Sequence, residues 1–299
     1  MRPQRECDVL PNSLRTKSDF AGLLTMGISS ILLLKEKLGM SVRTKGSTSK
    51  GAGSMGKAGR LTKDRFGYGM PVDAPLYPKP PIYYKNVETI SFAYETDEEA
   101  AADILPEGLE LTTPATASVL FIRYPFSTLG PYEEAILGIA CTYQGEPKFY
   151  IAHIVLNTDS PLAAGREIWG FPKKLAHITL EKEGDLICCT MERPKGNRIC
   201  TGVMRLEVPA PAEEAGRGGT MSLRVIPSPE EGAEPSLAEL IEVPAKRTLI
   251  EAWVGPGFVE FNSTSTIDPW YKISVKQMLS ATYQRLDNIL DYGKIVRRY

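Results

Sequence analysis

Histidine is scarce in this 299-residue chain, which contains only His153 and His177. A catalytic zinc site with three histidine ligands is therefore excluded. The five cysteines include no C-x-x-C pair, so a zinc site made of cysteines is also disfavoured. The G-x-S-x-G motif of serine hydrolases is missing, and both histidines lie in apolar, strand-like runs where we expect core positions. We therefore expect a function that needs no metal.

A net charge of −1 and the lack of a long apolar run limit the partners of the chain. The charge offers no broad field for nucleic acid or for an anionic membrane. The apolar run at 20–34 has fifteen residues, fewer than the ~17–25 that span a bilayer. Cys141 and Cys200 are isolated in apolar surroundings, as is usual for reduced thiols. We expect a cytoplasmic protein that binds no nucleic acid and does not insert stably into a membrane.

The uneven distribution of charge divides the chain into two regions. Residues 35–65 carry nine Lys or Arg against two acids, whereas residues 66–299 have a net charge of −9. Residues 46–58 are rich in Gly and Ser and have no apolar period. Their glycine pattern resembles a phosphate loop, but no strand precedes it and Ala58 replaces the Ser or Thr that holds magnesium. We predict a flexible basic extension at 1–65 and a catalytic domain at 66–299.

From residue 66 onward the sequence is typical of a mainly β protein. Short runs of β-branched and aromatic residues are separated by turn signals, as at 144–147 and 183–185. Only 97–104 and part of 275–295 have a helical pattern. Many strands with few crossover helices favour an antiparallel barrel or sandwich over a parallel α/β sheet. The predicted strands lie at 89–94, 118–124, 135–143, 149–156, 177–181, 186–191, 198–208, 221–226, 247–253 and 258–261.

Two adjacent lysines stand in an apolar segment, which runs GREIWGFPKKLAHI from Gly165 to Ile178. In an extended chain Lys173 and Lys174 point to opposite faces, so one of them meets the apolar side. Loss of hydration and the neighbouring cation both favour a neutral amine there. A neutral amine is the nucleophile that imine formation on a carbonyl group requires. The alternative is that both lysines extend to water or pair with acids on a strand face.

The order Gly-Arg-Glu, three residues, then Phe-Pro-Lys-Lys-Leu resembles the signature of the acetoacetate decarboxylase family. Four further blocks follow the order and rough spacing of that family, at 83–107, 129–134, 223–227 and 251–256. The resemblance implies a mainly β (α+β) fold, an antiparallel cone-like β-barrel with few helices, assembled into a homo-oligomer. It also implies a lysine that forms a Schiff base, a mechanism that needs no metal and no organic cofactor. This family is an example of lysine activation by desolvation or by a nearby cation.

The resemblance assigns roles to individual residues of this chain. Lys173 corresponds to the lysine that forms the Schiff base, and Lys174 corresponds to the neighbouring cation. Glu134 matches the active-site glutamate that binds substrate or transfers protons. Arg166 and Glu167 match a buried pair that supports the site.

Two positions depart from the family pattern and change the expected pocket. Val87 stands where the decarboxylases have the arginine that pairs with a substrate carboxylate. Val119 stands where an ungapped match places a second glutamate. Together with Phe171, these valines would line a more apolar pocket without a bidentate partner for a small free acid. We expect the imine chemistry to be retained and the recognition of acetoacetate to be lost.

Three functions are compatible with these residues. The first is a carboxy-lyase that decarboxylates a β-keto acid through a lysine imine and enamine. The second is an aldolase or dehydratase that uses the same enamine on a keto acid or polyketide-like carbonyl. The third is a barrel that binds a small apolar ligand without catalysis. We favour the first, with a small keto acid or related carbonyl compound as the substrate.

Overall fold

The β-rich runs of the sequence fold into two sheets. The computed structural model describes residues 56–210 and 219–299, in which a compact unit begins at Arg60. Most of the predicted extension at 1–65, including most of the glycine pattern at 51–58, lies outside the described residues, and its flexibility stays a prediction. Within the described ranges, none of the helices has the length and apolar character needed to cross a membrane.

Seventeen strands lie in the described part of the chain, and the helical segments are short. The strands are β1 (Ile82–Glu95), β2 (Glu110–Leu111), β3 (Thr116–Tyr124), β4 (Phe126–Ser127), β5 (Tyr132–Tyr143), β6 (Glu146–Leu156), β7 (Lys173–Leu175), β8 (His177–Glu183), β9 (Leu186–Glu192), β10 (Arg198–Arg205), β11 (Val208–Pro209), β12 (Gly219–Ile226), β13 (Leu237–Val243), β14 (Ala245–Gly255), β15 (Gly257–Phe261), β16 (Gln277–Leu290) and β17 (Lys294–Arg298). The helices are α1 (Glu98–Ala102) and α2 (Asp159–Ala164), with 3-10 turns at Lys63–Arg65 and Trp270–Lys272 and a π-helical turn at Gly165–Trp169.

The larger sheet has 13 strands and contains most of the pairings. Ten of its strands follow the order β11-β14-β16-β1-β3-β5-β6-β12-β13-β17, while β2, β4 and β7 pair with β5, β1 and β6. The smaller sheet has the order β15-β10-β9-β8. The pairings are antiparallel except that β6 pairs in parallel with β7 and with β12.

One face of the larger sheet packs against the smaller sheet. Phe92, Phe121 and Leu137 of the larger sheet belong to one buried apolar cluster with Leu180 and Met191 of the smaller sheet. We call this group the intersheet cluster. Full burial of a Phe or Leu side chain contributes about 1.5–3 kcal/mol relative to exposure, so this cluster is a substantial source of stability.

The larger sheet also curves around a second buried cluster. Val87 of β1, Ile122 of β3, Ile154 of β6, Ile241 of β13 and Leu286 of β16 all belong to this group, which we call the inner cluster. β13 and β16 are six positions apart in the strand order. Since a flat sheet would separate them by about 29 Å at the usual strand spacing, the sheet must curve to bring them together.

The expected fold class is confirmed, because the described chain is mainly β, has few helices and curves around an inner cluster. The path of paired strands ends at β11 and β17, so pairing among the described residues does not close a barrel. All ten predicted strands are present, with 198–208 divided into β10 and β11. The hairpin between β5 and β6 turns at Gln144 and Gly145, whose φ values of 53° and 81° suit a two-residue turn.

The helix predicted within 275–295 is wrong, whereas the helix predicted at 97–104 is confirmed as α1. Residues 277–290 form β16, which pairs with β1 on one side and with β14 on the other. These two pairings override the local helical pattern, since tertiary contacts outweigh weak intrinsic preferences. The pattern also missed α2, the π-helical turn and β13.

Candidate active site

A helical segment between β6 and β7 brings the chain to Lys173. α2 has Pro161 in its first turn, a favourable position for proline, and continues into the turn Gly165–Trp169. Gly170 then adopts a φ of 72°, and a Cβ at this position would lie 2.5 Å from the Cα of Arg224. Glycine is therefore required at 170 by both conformation and space.

Gly165 leaves room for the side chain of Lys173. A Cβ at Gly165 would lie 2.5 Å from Cδ and 2.6 Å from Cε of Lys173. The Phe171 N–H donates to the Gly165 carbonyl at 3.0 Å, and Arg166 Nη1 donates to the Lys173 carbonyl at 3.2 Å. The Gly-Arg part of the signature thus provides space for the lysine side chain and holds its backbone.

Lys173 and Glu134 form a buried ion pair across β6. Glu134 of β5 is paired with Leu156 of β6, and Lys173 of β7 is paired with Ile154 of β6. Lys173 Nζ donates to Glu134 Oε2 at 2.7 Å, and the two side chains are 6% and 4% exposed. The desolvation cost of such a pair often exceeds its electrostatic gain, so the pair is better evidence for function than for stability.

Aromatic side chains surround this ion pair. Lys173 Nζ lies 5.6 Å from the ring centre of Tyr132 and 5.8 Å from that of Phe171. The Tyr124 hydroxyl donates to Glu134 Oε1 at 3.0 Å. Burial raises the pKa of Tyr124 well above its usual range, so this hydroxyl stays protonated and remains a donor. The structure brings Phe171 next to the amine, and its role in a substrate pocket stays a prediction.

Lys174 points to a different partner. Its Nζ donates to Asp268 Oδ1 at 3.0 Å and also to the Ile267 carbonyl. Asp268, whose side chain is 2% exposed, also pairs with Arg193 at 3.0 Å. Successive residues of a strand face opposite sides, which explains why Lys173 and Lys174 have different partners. A role for Lys174 as a neighbouring cation stays a prediction, and its amine is directed to an acid that it shares with Arg193.

The expectation that Arg166 and Glu167 form a buried pair is wrong. Arg166 is exposed, while Glu167 is half-buried and accepts a hydrogen bond from the Tyr77 hydroxyl. Adjacent residues of a helical turn project in different directions, so these two side chains do not face each other. Glu167 lines a separate cavity of about 390 Å³ together with Tyr77 and Arg224. The two residues therefore hold different sides of the π-helical turn.

The two valines of the expected pocket lie in different clusters. Val87 is buried in the inner cluster with Tyr124, whereas Val119 is buried in the intersheet cluster. The prediction that Val119 lines the pocket is wrong. Five positions separate Val119 from Tyr124 along β3, and an odd number of positions places two side chains on opposite faces of a strand.

Histidine and cysteine form no metal site in the part of the chain that the structure describes. No group of three or more His, Cys, Asp or Glu side chains in these ranges is arranged to hold a metal ion. The described cysteines are free, and three of them are buried. His153 is half-buried, whereas His177 is exposed, so the core position expected for His177 is wrong. Ile178, the next residue in β8, takes the buried face instead.

A family model and curated relatives match this chain. The family model for acetoacetate decarboxylase (ADC) matches residues 69–299. The acetoacetate decarboxylase of Acidiphilium cryptum is 32% identical over 238 residues, which cover 78% of this chain and 95% of that protein. The chain belongs to the acetoacetate decarboxylase family.

The solved structures of a member of this family and of one further enzyme share the fold. The crystal structure of acetoacetate decarboxylase from Legionella pneumophila has a TM-score of 0.73 and 30% identity, and the match covers 82% of this chain and 99% of that one. The enduracididine biosynthesis enzyme MppR, in complex with the condensation product of pyruvate and imidazole 4-carboxaldehyde, has a TM-score of 0.67 and 17% identity, with 81% and 98% covered. This second likeness shows the fold alone. At family level, the chain is an acetoacetate decarboxylase-like enzyme.

The sequence analysis missed two polar partners of the family residues, Tyr124 beside Glu134 and Asp268 beside Lys174. Tyr124 lies ten positions before Glu134, and its place on the same side of adjacent strands could have been found by following the alternation along β3 and β5. Asp268 lies 94 positions after Lys174. No motif connects these two positions, so only the folded chain reveals their contact.

Proposed function

We propose that this protein decarboxylates a β-keto acid through a Schiff base on Lys173. The observation that carries this proposal is the hydrogen bond of 2.7 Å between Lys173 Nζ and Glu134 Oε2, in a site where both side chains are almost fully buried. A lysine with only a carboxylate partner and aromatic neighbours has little structural purpose there, since an apolar pair would cost less to bury. It is well placed for imine chemistry on a carbonyl group.

The first step is the formation of a neutral amine. Transfer of one proton from Lys173 Nζ to Glu134 Oε2 leaves a neutral amine beside a neutral carboxyl group. The hydrogen bond from Tyr124 to Oε1 holds the carboxyl group in place during the transfer. Because the amine of Lys174 is directed to Asp268 and not to Lys173, we assign the generation of the neutral amine to Glu134 rather than to repulsion by Lys174.

The amine then attacks the ketone carbon of the substrate to form a carbinolamine. Glu134 returns its proton to the departing hydroxyl group, so water leaves and a protonated imine remains. The bond to the carboxylate carbon breaks, carbon dioxide departs, and the electron pair enters the imine to give an enamine. Glu134 then takes up a proton from water and passes it to the enamine carbon. Addition of water to the resulting protonated imine releases the ketone and restores Lys173.

Borohydride trapping tests the covalent step. Borohydride reduces an imine to a stable secondary amine, so acetoacetate with borohydride should add mass to the peptide that contains Lys173. The variant Lys173→Met should give no adduct and should lose at least roughly 1,000-fold in carbon dioxide release. Lys276→Gln is the matched control, because Lys276 is exposed and paired with Asp97. It should retain both the adduct and the release of carbon dioxide.

The outcomes separate the three candidate functions. An adduct on Lys173 together with carbon dioxide release supports decarboxylation. If a series of β-keto acids gives the adduct but none of them releases carbon dioxide, the protein is instead the aldolase or dehydratase that uses the same enamine. Ligand binding that persists in Lys173→Met without any adduct in the wild type would identify a binding barrel instead.

We also propose that residues 66–299 form the catalytic domain, that the protein is cytoplasmic, and that it acts as a homo-oligomer. The compact unit that begins at Arg60 and the family match from residue 69 support the domain boundary. Sedimentation of the full chain measures the oligomeric state, and a single species with a mass near 32.9 kDa would contradict the oligomer.

A further inference from the structure

One arginine lies on the inner face of the larger sheet, on a strand that is far from β7 in the strand order. Arg247 of β14 is paired in register with Asn288 of β16, which is paired with Tyr84 of β1. These three residues form a row across three adjacent strands, and the outer two are about 10 Å apart at the usual strand spacing. The row is polar, although it crosses the apolar inner face of the sheet.

The alternation along β14 decides the direction of Arg247. Leu249 packs against the inner cluster and is paired with Leu286, a buried member of that cluster. No irregularity in the pairing separates Arg247 from Leu249, and residues two positions apart in a strand share a face. The ring centre of Tyr84, at the other end of the row, lies 4.9 Å from that of Tyr124, and the positive charge of Arg247 opposes the rise in the pKa of Tyr124. Tyr124 is the residue that donates to Glu134.

Arg247 is reachable from water although protein surrounds it. The residue is exposed, yet desolvation by the protein around it lowers the pKa of its guanidinium group. Solvent therefore reaches the guanidinium group, although nearby protein atoms crowd it.

Arg247 has no ion pair or hydrogen bond among the residues that the structure describes. Lys173 and Glu134 offset each other, so the guanidinium group of Arg247 adds a positive charge that no described acid offsets. The amide of Asn288, beside it in the row, has a buried Oδ1 that also lacks a partner among the described residues. The guanidinium group of Arg247 offers only donors, so an anion such as a carboxylate is the partner that it can bind.

We propose that Arg247 binds the carboxylate of the substrate and so replaces the arginine that is missing at Val87. The guanidinium group forms two parallel hydrogen bonds with a carboxylate, which a lysine cannot reproduce. The two positions lie on different strands but on the same face, since Val87 and Leu249 are both paired with Leu286. This inference rests on the proposed function, because it supplies the recognition of a keto acid that the loss at Val87 removes.

Two compounds that differ only in charge test the proposal. Acetoacetate and its methyl ester present the same ketone to Lys173, but only acetoacetate carries a carboxylate. In the wild type, half-maximal borohydride trapping on Lys173 should need much less acetoacetate than ester. Arg247→Gln should raise the half-maximal concentration of acetoacetate at least about tenfold and leave that of the ester unchanged. Arg247→Lys should lie between the wild type and Arg247→Gln.

Lys246→Gln is the matched control. Lys246 is adjacent to Arg247 on β14, points to the other face and is paired with Asp291. The variant Lys246→Gln should therefore leave trapping of both compounds unchanged. Thermal unfolding should be the same for Arg247→Gln and the wild type, since an unpaired exposed arginine holds nothing together. Equal weakening of acetoacetate and ester, or no weakening of either, would overturn the proposal.

A separate measurement distinguishes this inference from the proposed function. If the wild type forms no adduct with either compound, the covalent mechanism fails. Calorimetric titration with acetoacetate then still compares the wild type with Arg247→Gln. Binding that weakens at least about tenfold in the variant supports the carboxylate site, and equal binding or no binding by the wild type overturns it.

Discussion

The intersheet cluster and the inner cluster are built by the two faces of one sheet, but they bury different chemistry. Phe92, Phe121 and Leu137 fill the intersheet cluster with apolar side chains. The inner cluster instead surrounds the ion pair of Lys173 and Glu134. Burial of apolar area stabilises a fold, whereas burial of charge costs free energy that must be offset elsewhere. The comparison indicates that one face stabilises the protein and the other holds the groups that we propose to react.

The largest expected effect on stability is in the intersheet cluster. Phe121 is fully buried and contacts Phe92 edge to face at 6.4 Å between ring centres. Phe121→Ala should lower the free energy of unfolding by about 3–5 kcal/mol, because it removes apolar contacts and leaves a cavity. Urea denaturation measures the loss, and carbon dioxide release per folded molecule should be unchanged. A large fall in turnover at temperatures where the variant is folded would contradict the separation of the two faces.

A pH effect on stability should arise beside the intersheet cluster. His153 stacks on Trp270 of that cluster, and burial, with a smaller effect of Lys174, lowers the pKa of His153 to about 4, against a weaker opposing effect of Asp268. Between pH 6.5 and 4 the unfolded chain binds a proton at this position that the folded chain does not. Stability should therefore fall by up to about 3 kcal/mol as the pH falls through this range.

Urea denaturation at pH 7, 5.5 and 4.5 measures this dependence, with His153→Gln as the comparison. The variant should lose the part of the pH dependence that belongs to His153. If the wild type and the variant show the same dependence, the proton uptake arises at other groups.

A pair of glycines compares steric crowding in the two clusters. Gly165→Ala would place a Cβ 2.5 Å from Lys173 Cδ, whereas Gly202→Ala would place one 2.6 Å from Phe92 Cε2. We expect Gly165→Ala to lower kcat by about 10–100-fold, because small displacements of a reacting group are costly. Gly202→Ala should lower the Tm without changing kcat at temperatures where the protein is folded. The reverse result would place the reactive groups in the intersheet cluster.

The smallest expected effects come from two buried tyrosines with one hydrogen bond each. Tyr124 donates to Glu134 Oε1 at 3.0 Å, and Tyr94 donates to the Ile273 carbonyl at 3.0 Å. Each Phe variant should lose about 1 kcal/mol of interaction. For Tyr124→Phe we expect a fall in kcat of about fivefold, and for Tyr94→Phe a loss of stability alone. Parallel measurements of kcat and unfolding free energy decide whether the two hydroxyl groups differ in this way.

Local patterns in the sequence predicted much of the fold. The alternating runs predicted ten strands correctly, and the glycine signals predicted both short hairpins, because these features depend on neighbouring residues. The helical pattern within 275–295 failed for a different reason. β16 lies between β1 and β14 in the sheet, and distant strands determined its structure.

The candidate site was predicted less completely than the fold. The lysine signature indicated Lys173 and the family spacing indicated Glu134. In the structure, Lys173 Nζ lies 2.7 Å from Glu134 Oε2. The ungapped count led to Val119, which lies on the other face of β3 from the ion pair. A shift of one residue is enough to reverse the face of a strand. Arg247 has no motif, and only the register across β14, β16 and β1 places it on the inner face.

The sequence by itself determined the family, the mainly β class and the candidate lysine, because these depend on residue types at short, recognisable spacings. The tertiary structure alone decided which side chains meet. It brought Lys173, Glu134 and Tyr124 together, placed Arg247 in register on the same face of the sheet, and paired Lys174 with Asp268. Contacts of this kind join residues far apart in the chain, and their geometry depends on strand register and sheet curvature, which no local pattern encodes.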